Sequence, residues 1–422
     1  MQLLSEKKQS LEHKLNFVIG TILLLNLYLL SGILRMPYLP ILILCMGISF
    51  YYLIKGFKRA VFFSLINNWN TLFYIVISVF LLLLQFAFVD KVNEVKINDS
   101  IRILIYCMYF SWTAFLYADA QQLKKFIFKI AFVSFIILFL EAIVEIYDPF
   151  LFALFLSENV SKTMLRVGGT FADANAFSNA VVILGFMILK FMPTLSKKQQ
   201  IALSVFVFLC MLYLVELSGS RQGILLLMVL SIYFTPTILR QFTPKKILLF
   251  LALIVLIILL LSPVIYQYLL NNPDSSLARV LFDTENPKSI NSDLERSSAM
   301  TAGLNYIKNH FYLYGTGMFL FENEWTQYVQ VQIPFPHNSF VFLYCQYGIL
   351  AVLIFYFFWI AIKRAFTQNL WPLVVMLFIQ MYLLSNPVYY PMHFFTLFVV
   401  DVCWINAVFK NSLTQPEMQQ NG

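Results

Sequence analysis

The chain has 422 residues, of which 60% are hydrophobic and only 12% charged. A soluble domain is typically about a quarter charged, so this composition excludes a single water-soluble core and points to a bilayer. The formal charge of +8 does not indicate nucleic acid, because the basic residues sit in short stretches between apolar runs and form no Arg/Lys-rich domain.

Apolar runs of roughly 17–25 residues cross a bilayer as helices, since unpaired backbone groups are too costly in hydrocarbon. Such runs are predicted at 15–34, 38–54, 71–89, 101–117, 126–147, 176–194, 200–217, 222–239, 246–268, 338–362, 370–386 and 393–409. The fold class is therefore all-α, a polytopic membrane protein of about twelve transmembrane helices forming one domain over 1–422.

Lys7, Lys8 and Lys14 precede the first run, which lacks a small-residue cleavage site and reads as a retained span. With the N-terminus inside, the inner segments carry Lys55, Lys58 and Arg59, then Lys124, Lys125 and Lys129, then Lys190, Lys197 and Lys198. Further along, the inner segments carry Arg240, Lys245 and Lys246, then Lys363 and Arg364, then Lys410. Every short inner segment is basic, as the positive-inside rule asks, and an even number of spans places both termini in the cytoplasm. Cys45, Cys107, Cys210, Cys345 and Cys403 all fall inside predicted spans and read as small apolar core residues. His13, His310, His337 and His393 have no metal-ligand spacing, and no Asp-x-Asp pair is present, so no metal or other cofactor is expected.

Two outer loops are long, 148–175 and 271–336, and loops of that length are seldom mere connectors. In the second, Ser292, Asp293, Leu294 and Glu295 fit a capping box, with Met300, Leu304, Ile307 and Phe311 following at helical spacing. This predicts an amphipathic helix at the outer membrane surface.

The outer face carries five polar segments. They are Arg166 through Asn175, Ser218 through Gly223, Arg296 with Gly303, Tyr314 through Gly317, and Pro336 through Ser339 with Gly348 beyond. Asp173, Asn175 and Asn338 suit helix N-caps, Arg221 alone suits an interfacial anchor, and a lone histidine suits a packed surface. In combination, Arg166, Arg221 and Arg296 are three arginines on a face where the positive-inside rule disfavours them. A guanidinium donates two parallel hydrogen bonds to phosphate oxygens, and His337 opens a predicted helix whose dipole favours an anion. If the segments converge, they form a cationic pocket at the depth of a lipid-linked diphosphate, with Asn338 as a further contact. Glu141 and Glu145, four apart near the outer end of the fifth run, and Glu216 are costly intramembrane carboxylates. Each reads either as an alternative base or counter-ion, or as part of a structural ion pair. Asp401 has no evident partner.

In the order and spacing of these segments, covering about the C-terminal 60% of the chain, the sequence resembles the bacterial O-antigen polymerase and O-antigen ligase superfamily. His310 stands where many relatives have proline. The resemblance implies a GT-C-like, metal-independent glycosyltransferase acting on the outer face of the inner membrane. It implies an undecaprenyl-diphosphate-linked oligosaccharide as donor, with a glycan or lipid A-core as acceptor, and a chain-length regulator as a further partner. By that resemblance Arg221 and Arg296 hold the diphosphate and His337 accepts or orients the acceptor's proton. The segment from Gly168 to Phe171 and the segment from His337 to Phe340 look more like the polymerase branch. The competing readings are a ligase, a twelve-span secondary transporter, whose site would lie near the midplane, and a flippase-like partner of polysaccharide assembly.

Overall fold

The structure, a computed structural model, describes residues 2–24, 38–57, 105–106, 108–110, 112–113, 116–117, 120–148, 167–171, 174–193, 195–239, 260–273, 275–282, 287–309, 338–348, 351–383, 395–400 and 403. Among the described residues it is helical without strands. The helices used below are α1 (Gln2–Leu24), α2 (Tyr38–Phe57), α3 (Ala120–Tyr147), α4 (Ala174–Lys190), α5 (Lys197–Ser218) and α6 (Arg221–Leu239). They continue with α7 (Ser276–Leu281), α8 (Pro287–Asn309), α9 (Ser339–Tyr347), α10 (Ala351–Thr367) and α11 (Trp371–Leu383). The predicted run at 71–89 lies outside the described residues.

Two of the described helices, Gln121–Tyr147 and Lys197–Ser218, are long and apolar enough to cross a membrane. Ala174–Lys190, Arg221–Pro236 and Trp371–Tyr382 are shorter apolar helices. α4 is the hub: nearly every side chain on it is buried, all round its circumference, and α3, α5 and α6 pack against it. A helix apolar on all faces is one that belongs inside a bundle. Close approach depends on glycine where helices cross. A Cβ on Gly185 would collide with the Met211 sulfur of α5, and one on Gly223 would lie 2.8 Å from Val215 and 2.9 Å from Ser178. Such small-residue contacts are how apolar helices associate where lipid removes the hydrophobic drive.

The two ends of the hub differ. At one end the Lys190 ammonium donates to the Tyr233 hydroxyl (2.6 Å) and to the Asn369 carbonyl (3.2 Å). Asn369 adopts a left-handed conformation (φ 53°) that ends α10, with the Leu370 amide reaching back to the Ala365 carbonyl at 2.7 Å. This is the bond pattern of a helix closed by a left-handed residue, a conformation asparagine tolerates better than most. Two of the segments expected to be cytoplasmic, around Lys190 and Arg364, therefore meet at one end of the bundle. The opposite end, about 25 Å away along a 17-residue helix, carries the polar turns described below.

Two expectations are corrected. The continuous span at 338–362 is instead two helices, α9 and α10, divided at Gly348, whose φ of 56° and ψ of −135° is open only to glycine. In one straight helix Phe340 and Phe355 would stand roughly 22 Å apart; their ring centroids are 5.6 Å apart, so α9 folds back against α10. The helix predicted within 271–336 exists but starts at Pro287, so Ser292 lies inside it and is not its cap. Proline is favoured at the first helical position, and that signal outranked the capping-box pattern. Its buried face is Ala299, Ala302, Gly303 and Tyr306, whereas Leu304 is half exposed. Small residues define that face because α8 lies close on α9, with the Cys345 sulfur 3.8 Å from the Gly303 carbonyl.

Candidate functional site

The site grows from the turn between α5 and α6. α5 begins at a capping box, Ser196 with Gln199, and ends at Gly219, which is left-handed at φ 59°. Ser218 donates to the Val215 carbonyl at 2.7 Å and accepts from the Ser220 amide at 3.2 Å. Ser220 accepts from the Gly223 amide at 3.2 Å, which makes it the N-cap of α6. Its hydroxyl donates to the Asn175 side-chain oxygen at 2.8 Å, tying the turn to the start of α4. Both serines are fully buried. Arg221, half-buried, is the first residue of α6 and projects from this fixed base.

The Gly168–Phe171 segment is fixed from the other side. The Val167 amide donates to the Leu217 carbonyl at 3.2 Å. The amides of Gly168 and Gly169 donate to the two carboxylate oxygens of Glu145, at 3.3 and 2.9 Å. Gly169 has φ +54°, and a Cβ there would press on the Phe177 ring at 2.8 Å and approach a Glu141 oxygen at 3.2 Å. Glu145 is thus a latch for a backbone turn. Glu216 serves similarly, accepting from the Leu277 amide at 3.1 Å at the start of α7. Glu141 is buried beside Gly169. One turn into α4, the buried Asn179 amide has no hydrogen-bond partner among the described residues, nor does the Gln222 side-chain nitrogen. The polar character of this end therefore extends inward between α4 and α6.

α7 adds residues that sequence reasoning missed. Ser275 caps it, accepting from the Ala278 amide at 3.2 Å. Ser276 donates to the Val215 carbonyl, and Arg279 donates to the Gly219 carbonyl at 2.8 Å. The available signal was a serine cap with an arginine four residues on, inside a helix too short for hydropathy to detect.

Arg296, Ala299, Gly303 and Tyr306 fall at 3-4-3 spacing, so Arg296 shares the face of α8 that packs inward, and it is half-buried. Asn338 is buried and caps α9, accepting from the amides of Phe340 (3.0 Å) and Val341 (3.2 Å). The structure thus joins Glu145, Asn175, Glu216 and Arg221 around one turn. Arg296 and Asn338 belong to the neighbouring α8–α9 pair. Arg166, Asp173, His310, Tyr314 through Gly317, His337, His393 and Asp401 lie outside the described residues. No group of three or more His, Cys, Asp or Glu side chains suited to a metal ion occurs among the described residues.

Apolar helices around a largely buried hub, with polar turns gathered at one end, fit a helical membrane protein with a terminal polar site. Residues 206–356 match the family model described as O-antigen ligase, which supports the likeness to the O-antigen ligase and polymerase superfamily over that part of the chain. The matched stretch begins within α5, contains Arg221, Arg279, Arg296 and Asn338, and ends within α10. No curated protein matches the chain. The match supports an enzyme of the O-antigen ligase or polymerase type acting on glycan and lipid-linked substrates.

Proposed function

We propose that the protein is a membrane glycosyltransferase that uses an undecaprenyl-diphosphate-linked glycan on the outer face of the inner membrane. The observation that carries this reading is the rigid placement of Arg221 at the first position of α6, inside the matched stretch. A helix N-terminus and a guanidinium at one point both favour a phosphate. Arg296, on the inward face of α8, and Arg166 supply the further positive charge. Asn338 lends its remaining side-chain donors to substrate. In the reaction the acceptor hydroxyl attacks the anomeric carbon, the bond to diphosphate breaks, and the electron pair leaves on the diphosphate oxygen. The arginines stabilise that developing charge. The acceptor's proton passes to His337, since both oxygens of Glu145 accept backbone amides and Glu216 is held by the Leu277 amide on one oxygen with the other buried. Histidine can serve as a base near neutral pH. Glu141 is the second candidate for that role. No step requires a metal.

Within this reading the residues around Gly168 to Phe171 and His337 to Phe340 favour a polymerase, whereas the matched model is described as a ligase. A deletion strain separates the two. The polymerase reading expects lipopolysaccharide cores capped by single repeat units. Bare core with accumulated undecaprenyl-linked polymer would instead assign the ligase. The location of the polar turns at one end of α4, and not halfway along it, weighs against a transporter.

A further inference from the structure

We propose that Arg279 is a positioning residue for Arg221, and that α7 is the clamp by which the outer loop fixes the α5–α6 turn. This rests on the reading of Arg221 as a diphosphate-binding residue. Three bonds run from α7 to the last turn of α5: Ser276 hydroxyl to the Val215 carbonyl, Leu277 amide to a Glu216 oxygen (3.1 Å), and Arg279 guanidinium to the Gly219 carbonyl (2.8 Å). From the start of α4, Asn175 holds the Ser220 hydroxyl at 2.8 Å. The Gly219–Ser220 segment is therefore held by two separate elements, and Arg221 is the next residue. The charge is also well placed: α5 ends at Ser218, and a cation at a helix C-terminus is favoured by the exposed carbonyl dipoles. Gly219 makes the turn possible by adopting the left-handed conformation, and Arg279 donates to its carbonyl.

The chemistry separates the two arginines. A carbonyl needs a single donor, whereas a diphosphate exploits the planar fork. Arg279→Lys should therefore retain most of the transfer activity, while Arg221→Lys should not. Arg279→Ala should lower turnover by up to about 10²-fold, the scale of a displacement near 1 Å at a reacting centre. The double variant Arg279→Ala with Arg221→Ala should be no slower than Arg221→Ala alone, because losses through one residue do not add.

The experiment measures transfer from an undecaprenyl-diphosphate-linked repeat unit by the full chain in nanodiscs. Amide hydrogen exchange over 216–224 is followed in parallel and requires no activity. Faster exchange in Arg279→Ala, restored by Arg279→Lys, is the expected result. Unchanged exchange, additive losses in the double variant, or an Arg279→Lys protein as inactive as the alanine variant would overturn the proposal. If Arg279→Ala does not fold, the lysine variant and its exchange decide. An Arg221→Ala protein with wild-type transfer removes the diphosphate reading itself, whatever the exchange shows.

Discussion

Arg221→Ala should reduce transfer by about 10²–10³-fold, the usual loss when a donor aimed at developing transition-state charge is removed. Its side chain leaves the first position of α6, from a turn whose serines are buried and hydrogen-bonded and whose glycine is left-handed. A base so constrained delivers the guanidinium to one place without reorganisation, which is where electrostatic stabilisation is most effective. Both donor binding and turnover should fall, because the diphosphate carries charge in the ground state and more as it leaves. Arg296→Ala should shift both in the same direction. Lysine at either position should rescue poorly. The check is a donor-binding titration beside a single-turnover transfer assay. A variant that loses turnover alone, with donor affinity intact, would contradict the assignment.

His337→Ala should show the opposite division. Donor binding should stay near wild type while turnover drops roughly 10²–10⁴-fold, the range for a general base. Support comes from what the structure does with the other candidates. Glu145 accepts two amides of the Gly168–Gly169 turn, one on each carboxylate oxygen, and one Glu216 oxygen accepts the Leu277 amide while the other is buried away from solvent. His337 stands immediately before Asn338, whose side chain caps α9 and so fixes where that helix begins. Retention of wild-type turnover in His337→Ala would make the histidine a helix-flanking residue and turn attention to Glu141.

The features readable from sequence are those with local causes. Predicted spans at 200–217 and 222–239 fall within a few residues of α5 and α6 because a serine capping box, a left-handed glycine and a serine cap mark their limits. The Ser218–Gly223 motif was visible as a polar interruption, although its first duty is to build the turn. Features that depend on distant partners were not readable. Hydropathy runs unbroken through 338–362, and the Gly348 backbone and the Phe340–Phe355 contact that record α9 folding back on α10 belong to the folded chain. Glu145 looked like a candidate base or ion-pair member because its partners are backbone amides more than twenty residues away. Arg279 went unnoticed because its target, the Gly219 carbonyl, is a feature of folded backbone and leaves no trace in residue type.

The central claim is metal-independent glycosyl transfer from a lipid diphosphate. The most direct measurement is transfer by the purified full chain, reconstituted in nanodiscs, with an undecaprenyl-diphosphate-linked repeat unit as donor and excess EDTA present. The account predicts an extended or transferred glycan with release of undecaprenyl diphosphate, at the same rate with and without the chelator. Activity that vanishes in EDTA and returns only with added Mg²⁺ or Mn²⁺ would contradict it.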